Sequence, residues 1–288
     1  LTADFGLSIP ADNSGAVISL LAKTRLYSAQ HIANYLPLTV LGPNLIHWLS
    51  TSVLRAPDVL ATLVLQGRLA DFPFDGGTGT FLIDADIKDA DLDYWNGWPI
   101  LKHLDGELIF AGRAMEVNVD NGRILDTPLH NIHANIPILK TEIQAILNVN
   151  GNVKGDLTQG FEFLQKSPLR NKIGGSLQDV MLKGPMQLQL GLSVPLEKGP
   201  QSLIVKGHVS TQNAELSVAE RNVKLSDLKG ELDFTKDDID APNLTANLWD
   251  KPIKIHLTSK PSLRLKIDRK PAKNFFWVWK DGVLYLAS

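Results

Sequence analysis

Strict alternation of apolar and polar residues is the feature that most restricts the fold of this chain. The run from Met186 to Val194 has an aliphatic residue at every second position, with Gln, Gly or Ser between them. Successive side chains of a β-strand point to opposite faces, so the run predicts a strand with one apolar face and one wet face. The same period recurs in the segments 83–87, 115–119, 143–149, 203–209, 244–248, 253–257 and 263–267. Because no long helices separate these segments, we expect a mainly β protein built on an antiparallel sheet.

Turn signals divide the alternating segments. Asp120-Asn121-Gly122 and Asp281-Gly282 contain residues that tolerate a positive φ, and both predict tight hairpin turns. At Lys88-Asp89 the apolar phase flips, which also predicts a two-residue hairpin turn. Helical patterns are few and short. They predict helices at residues 28–36, 43–54 and 160–166, the last stopped before Pro168.

The composition is that of a folded globular protein without a basic excess. Of 288 residues, 44% are hydrophobic and 21% are charged, and the formal net charge is -2. This leaves ample apolar material for a core but no excess of positive charge for binding nucleic acid. The absence of cysteine removes disulfides, thiolate nucleophiles and Cys-ligated metals. The sequence opens at Leu1 without a signal peptide and has no run of about 18 apolar residues, so we expect a fragment whose anchor lies outside it.

An internal repeat is visible at one offset. The segment 104–110 matches the segment 228–234 in five of seven places, at an offset of 124 residues (228 minus 104). Residues 90–92 align with residues 214–216 at the same offset. Two matches at a single offset predict repeated sheet units in an elongated protein.

Motifs that carry catalytic or metal chemistry are missing, or have a structural explanation. Four aspartates share one face of the predicted hairpin without the spacing of an EF-hand loop, and we expect them on a solvated outer face rather than in a calcium site. They are Asp84, Asp86, Asp91 and Asp93. The glycine-rich segment 75–79 precedes a strand, so it predicts a turn and not a phosphate loop. His130 and His133, three residues apart on a strand, are expected on opposite faces, which disfavours a shared metal. With no nucleophile elbow in the sequence, we expect no enzyme, no cofactor and no metal.

The long aliphatic runs are the candidate functional surface. A closed β-sandwich would bury such strand faces completely, whereas an open, curled sheet would present them as a groove, and alternation alone does not decide between the two. A continuous apolar groove suits acyl chains, because burial of each CH2 contributes about 0.8 kcal/mol. The residues expected to line the groove are Ile143, Ala145, Leu147, Val149, Met186, Leu188, Leu190, Leu192 and Val194.

Short motifs in a fixed order give the chain a family resemblance. The most specific is the segment 67–74, GRLADFPF. The others are Tyr35-Leu36-Pro37, Trp48-Leu49, Gly79-Thr80-Phe81, Trp98-Pro99, Ser167-Pro168-Leu169, Val194-Pro195-Leu196, Leu228 to Phe234 and Leu244 to Trp249 with Pro252. Together they resemble the AsmA-like superfamily, which includes TamB, and within it the YhdP branch. The resemblance implies a long antiparallel sheet curled into a trough of repeating β-groove units. It also implies an inner-membrane anchor outside this fragment and conduction of phospholipid across the periplasm of Gram-negative bacteria to the outer membrane.

The resemblance sets further expectations for divisions and partners. Residues 1–60 would join a preceding unit, 61–185 would form one β-groove unit, and 186–288 a second. Partners would be phospholipid acyl chains, membranes through parts of the protein outside this sequence, and envelope proteins, but not nucleic acid. After Ser259 no family motif is found, and the basic, aromatic segment 270–280 is expected to be a strand edge for the next unit, with a membrane-facing patch as the alternative. The alternative function is a periplasmic scaffold that binds β-rich partners by strand addition at open sheet edges.

Overall fold

The chain folds into one antiparallel sheet with little helix, as the alternation predicts. The computed structural model describes residues 1–11, 15–29, 47–48, 50–139, 144–167, 180–196, 200–218, 223–258, 264–268, 275–280 and 283–287, the last three ranges by their backbone. The described strands form a single 18-stranded sheet. Its first strand pairs only with the second, and its last strand only with the one before it, so the sheet is open as well as curled into a trough.

The strands follow one another closely along the chain. They are β1 (Thr2–Ser8), β2 (Val17–Leu26), β3 (Val53–Arg55), β4 (Asp58–Arg68), β5 (Gly79–Leu92), β6 (Leu101–Ala111), β7 (Ala114–Ile124), β8 (Thr127–Ile136), β9 (Ile146–Asp156), β10 (Val180–Lys183), β11 (Pro185–Pro195), β12 (Ile204–Val218), β13 (Val223–Thr235), β14 (Ile239–Leu248), β15 (Lys251–Thr258), β16 (Arg264–Asp268), β17 (Phe275–Lys280) and β18 (Val283–Ala287). A 3-10 turn at Leu69–Asp71 follows β4, and the helix α1 (Leu157–Gln165) follows β9.

Nearly every strand pairs with its neighbours in sequence, which makes the sheet a meander. The exceptions are the two short strands β3 and β10. Each pairs with the C-terminal end of the strand two places further along the chain: β3 pairs with β5, and β10 pairs with β12. The long strands around them pair directly, β2 with β4 and β9 with β11. The short strands therefore hold equivalent places in two successive parts of the sheet.

β-Bulges stand where two of the hairpin turns were predicted. β5 runs unbroken through Lys88-Asp89, and the apolar phase flips there because Asp89 takes a φ of 58° and the register shifts between Ile87 and Ala90. β7 likewise runs through residues 120–122 to a turn at Leu125 and Asp126. Both hairpin predictions are therefore wrong. A bulge inserts one unpaired residue and restores the alternation beyond it, which on the sequence alone looks like a turn.

The repeat is confirmed by the strand register. Ala90 faces Leu104 across β5 and β6, and Ala214 faces Leu228 across β12 and β13. The next matched pairs agree at the same offset of 124: Ile87 with Gly106 and Thr211 with Gly230, then Leu92 with Leu101 and Leu216 with Leu225. The segments around Leu104 and Leu228 therefore occupy equivalent places. The divisions at residues 60 and 185 stay predictions.

The helix predictions meet different outcomes. α1 spans 157–165 and confirms the helix expected at 160–166, beginning three residues earlier. Its start is fixed by Asp156, whose side chain accepts a hydrogen bond from the Thr158 amide at 2.8 Å while Gln159 accepts one from the Asp156 amide at 3.0 Å. The helix expected at 43–54 ends too late, because residues 53–55 form β3. Residues 43–46 and most of the segment 28–36 lie outside the described part.

The C-terminal segment corrects one expectation and leaves another untested. β17, which covers most of the aromatic segment 270–280, pairs with both β16 and β18, so it is an inner strand rather than a sheet edge. Asp281-Gly282 lies outside the described residues. The flanking strands pair with Lys280 opposite Val283, the register that a two-residue connection requires.

Buried apolar side chains form clusters along one face of the sheet rather than a single core. One cluster surrounds Leu104 and another surrounds Leu228, its repeat equivalent. A further cluster gathers Phe74, Phe81, Phe110, Met115, Ile136 and Ala145. No large side chain in the described part of the chain is fully buried. A closed sandwich of this size would bury many, so the apolar face is covered only in places.

Candidate functional site

One face of the sheet is apolar from strand to strand. Leu188 stands opposite Val153 on β9 and Val209 on β12. Directly opposed residues share a face, so the apolar run of β11 continues into both neighbours. We call the face that carries Leu188 the inner face and its reverse the outer face. From β4 to β14 the strand register places no charged residue at an inner position among the residues that the structure describes.

The outer face carries the charged and most of the polar residues of the same strands, together with some aliphatic ones such as Leu60, Leu82 and Ile109. Ser193 donates a hydrogen bond to Asn148 at 2.9 Å, and His208 pairs with Asp233 at 2.8 Å. The aspartates of β5 also lie on this face, with Asp86 exposed. The charged side chains are therefore confined to the outer face of these strands, where cross-strand polar pairs connect neighbouring strands.

The predicted lining residues are on the inner face but do not share one environment. Leu147, Val149, Leu188, Leu190, Leu192 and Val194 are partly buried along β9 and β11. Met186 is only 7% exposed and lies beneath α1 at Gly160, whereas Ala145 is 9% exposed within the cluster that contains Phe74. Ile143 lies outside the described residues. Met186 and Ala145 are thus covered. The six partly buried residues between them form what we call the open stretch.

Glycines flank the middle of that stretch. Leu190 is opposed by Gly151 on β9 and by Gly207 on β12. A methyl group at Gly151 would come within 2.5 Å of Ile132 Cδ1, and one at Gly207 would overlap the ring of Phe234. The side chain of Ile132 therefore packs over Gly151, and the ring of Phe234 packs over Gly207. A depression of about 660 Å³ lies at this level, and most of its lining, including Asn150, Gln189, His208 and Asp233, belongs to the outer face.

Aromatic side chains cover one end of the strands. Trp98, in the loop between β5 and β6, lies 5.7 Å from Phe163 of α1 and 6.3 Å from Tyr94, measured between ring centroids. Trp48 donates its indole N–H to the Tyr94 carbonyl at 3.1 Å. Burial raises the pKa of the Tyr94 hydroxyl above its usual range. This cluster joins segments far apart in sequence, and periodicity gives no signal for it.

The opposite end is covered by the loop after β4. Phe72 packs edge-on against Phe74 at 5.6 Å and Phe81 at 5.1 Å. The ring of Phe74 lies over Gly67 and Gly79, where a side chain would collide with it. The glycine-rich segment 75–79 is a turn, as predicted, and Arg113 pairs with Asp75 at 2.8 Å to hold it. Both ends of the inner face are therefore closed over by aromatic residues in this part of the sheet.

A charged cluster at the β5 bulge was not foreseen from the sequence. Arg55 binds Asp89 at 2.7 Å and Asp91 at 3.0 Å, and His103 binds Asp89 at 2.7 Å. Hydrogen bonds from Arg55 and then His103 hold the pKa of Asp89 far below its usual range. Burial opposes the shift at Asp91, but bonds from Arg55 and the His103 amide still lower its pKa. The cluster ties β3 to β5 and β6 on the outer face.

His130 and His133 are on the same face, which corrects the expectation that they diverge. Asn131 between them has a φ of 53° and forms a bulge that turns both imidazoles outward. Each pairs with an asparagine of β7, His130 with Asn121 at 3.0 Å and His133 with Asn118 at 2.8 Å. Across the described ranges, no group of three or more His, Asp or Glu side chains converges as a metal site requires.

Comparison with known proteins places the chain in a family. The sequence profile described as YhdP protein matches residues 1–270. The chain belongs to the YhdP family. This match extends past Ser259, into the segment in which no family motif was found. Within the described residues, no helix combines the length and apolar character that a membrane crossing demands.

A curated relative has a related sequence. The intermembrane phospholipid transporter YhdP of Escherichia coli (strain K12) is 26% identical over 226 residues, which cover 78% of this chain and 18% of that protein. The chain therefore spans less than a fifth of the length of this YhdP family relative. No solved structure matches the chain.

Proposed function

We propose that the inner face binds the acyl chains of phospholipids and that this chain is one section of a periplasmic conduit between the inner and outer membranes. The observation that carries the proposal is that the register from β4 to β14 places no charged residue on the inner face of the described strands. An acyl chain moving over such a surface meets no charge that must be desolvated. The relative named as a phospholipid transporter supports this choice of occupant.

The burial pattern supports an open groove over a sealed core. The central residues Leu188, Leu190 and Leu192 are partly exposed, although they are aliphatic and lie in mid-strand. Aliphatic side chains in the middle of a closed sandwich are covered by a second sheet. Among the described residues no second sheet covers these leucines, and the occupant that we propose for the open face is the acyl chain. The function we propose is transport.

The direct test is recovery of lipid with the purified chain. Native mass spectrometry of the chain, expressed in a Gram-negative host and purified without detergent, should reveal masses raised by bound phospholipid. Lipid analysis after denaturation identifies the head group and the acyl chains. A chain that emerges lipid-free and also fails to take up phospholipid from vesicles refutes the proposal.

A second candidate function rests on the exposed first strand. Every residue of β1 is exposed, and among the described strands β1 pairs only with β2. Such an edge accepts another strand, as a scaffold for β-rich envelope proteins would require. A scaffold would retain partner binding when the inner face is made polar, whereas a conduit would lose lipid, so charge placed on the inner face separates the two functions.

A further inference from the structure

The line of residues through Leu190, perpendicular to the strands, alternates large side chains with glycine. Successive opposed pairs connect Gly151 to Leu190, Leu190 to Gly207, and Gly207 to Phe234. On the other side the line reaches Ile132, which lies over Gly151. Neighbouring strands are about 4.8 Å apart, so the line from Ile132 to Phe234 crosses five strands over roughly 19 Å. It runs along the groove and not across it.

Gly151 and Gly207 determine how far the neighbouring side chains rise above the inner face. Side chains normally rise roughly perpendicular to a sheet. The Phe234 ring instead lies against the backbone of β12, because Gly207 has no side chain to prevent it. Neither Gly207 nor Gly151 has a positive φ, so the backbone at these positions would tolerate any residue. What excludes a side chain there is the overlying ring or methyl group, and not the backbone.

The repeat provides a comparison within the same chain. Phe110 is the equivalent of Phe234 at the offset of 124, and Ile83 stands where Gly207 stands in the second copy. Phe110 is 4% exposed in the cluster that contains Phe74, whereas Phe234 is partly exposed. One copy of the position therefore carries a buried ring opposite Ile83. The other carries a partly exposed ring that occupies the space over Gly207.

Resting on the proposed function, we propose that Gly207 and Phe234 form a specificity-determining pair for acyl chains. The recess at Gly207 seats the ring low and leaves a passage over Leu190 that admits a straight acyl chain and excludes a methyl-branched one. Gly151 and Ile132 do the same on the other side of Leu190. A side chain at position 207 lifts the ring into the passage, and loss of the ring widens the passage.

The chain offers a matched control for this test. Gly191 lies on β11 beside Leu190 but faces outward, and a methyl group there would meet Asn150 Oδ1 at an ordinary 3.5 Å. The variants are Gly207→Ala, Gly191→Ala, the double variant Gly207→Ala with Phe234→Ala, and Phe234→Ala alone. Each is incubated with phosphatidylethanolamine vesicles that contain lipid with a photoactivatable straight or methyl-branched acyl chain. Crosslinks to the β11 peptide are then counted by mass spectrometry.

We expect Gly207→Ala to lower straight-chain crosslinking about tenfold, the change for roughly two methylene groups kept out of the groove. Gly191→Ala should match the parent chain, and the double variant should recover. Phe234→Ala alone should raise branched-chain crosslinking relative to straight-chain crosslinking, which also keeps the test decisive if Gly207→Ala fails to fold. The specificity pair is refuted if the parent chain and Gly207→Ala crosslink equally. It is also refuted if Phe234→Ala leaves the ratio of branched-chain to straight-chain crosslinking unchanged. Neither result contradicts the proposed lipid conduit. No crosslinking by the parent chain overturns both.

Discussion

Asp89 and Asn213 hold the same left-handed backbone conformation 124 residues apart, with φ values of 58° and 56°. Each is the extra residue of a bulge, in β5 and in β12, and each is followed by a buried alanine. Asp and Asn are the residues besides glycine that adopt this conformation most readily. The bulge is therefore a repeated feature that directs the following alanine onto the inner face in both copies.

Replacing Asn213 by valine should destabilise the chain by about 1–2 kcal/mol, because a β-branched residue is strained at a positive φ. Asn213→Gly should leave the free energy of unfolding almost unchanged, since glycine adopts the conformation freely. Urea denaturation of the two variants beside the parent chain measures the difference. Equal midpoints for the valine and glycine variants would contradict the conformation assigned here.

Leu104→Ala and Leu228→Ala should lower the free energy of unfolding by similar amounts. Both leucines face the alanine after a bulge and are 9% and 8% exposed. Truncation of a buried leucine costs about 2–5 kcal/mol, depending on how far the site collapses. Denaturant unfolding of each variant tests whether the copies are energetically equivalent. Leu60→Ala serves as the control, since Leu60 is 51% exposed and should cost far less.

The sequence predicted the strands and their faces because alternation is a local property of the extended backbone. It misplaced features at three bulges, those at Asp89, at residues 120–122 and at Asn131. Bulges and turns favour similar residue types, such as Asn, Asp and Gly. Only the pairing partner distinguishes them, and that partner lies on another strand.

The sequence predicts which strand faces form the candidate site, but not how far along the strands its open stretch reaches. The aliphatic runs of β9 and β11 identify the inner face, and the register joins them as expected. What covers their ends comes from elsewhere in the chain: α1 over Met186, and the loop with Phe74 near Ala145. The charged cluster around Arg55 likewise joins strands that only the fold brings together. Contacts between distant segments leave no periodic signal.

Stability should fall in acid partly through Asp89. Its folded pKa is depressed, so the unfolded chain, in which an aspartate titrates near 3.9, binds the proton more readily. The carboxylate therefore stabilises the fold fully at neutral pH, and the contribution declines as the pH falls below about 4 towards the folded pKa. Asp89→Asn should lower the melting temperature at pH 7, and the gap from the parent chain should close in strong acid. The same gap at both pH values would exclude the ion pairs as its cause, and Asp86→Asn on the same strand is the control.

Removing the cap of α1 should loosen the cover over Met186. Asp156 accepts hydrogen bonds from the amides of Thr158 at 2.8 Å and Gly184 at 3.0 Å. Loss of an N-cap side chain costs about 0.5–2 kcal/mol, so Asp156→Ala should destabilise by that amount and Asp156→Asn by less. Amide hydrogen exchange should speed up in α1 and at the start of β11 before it does elsewhere. Uniform acceleration over the whole sheet would mean that α1 is not a separate cover.

A charge at Leu190 should separate an open groove from a sealed core. Leu190 is partly exposed between two glycines, so Leu190→Asp should place its carboxylate within reach of water. We expect a loss of about 1–2 kcal/mol, comparable to half the burial of a leucine side chain. In a sealed core the unpaired charge would cost about 3–5 kcal/mol and unfold the chain. Lipid recovered with the chain should disappear, because an acyl chain would have to desolvate the carboxylate.

Gln189→Asp is the matched control, since it adds the same charge one residue away on the outer face. It should melt close to the parent chain and retain its lipid. Thermal melting and native mass spectrometry of the two variants together decide the matter. A folded Leu190→Asp that keeps its lipid would show that acyl chains do not pass over this strand. A collapsed melting temperature for Leu190→Asp alone would indicate a filled core beneath β11, because in an open groove the new carboxylate keeps its water.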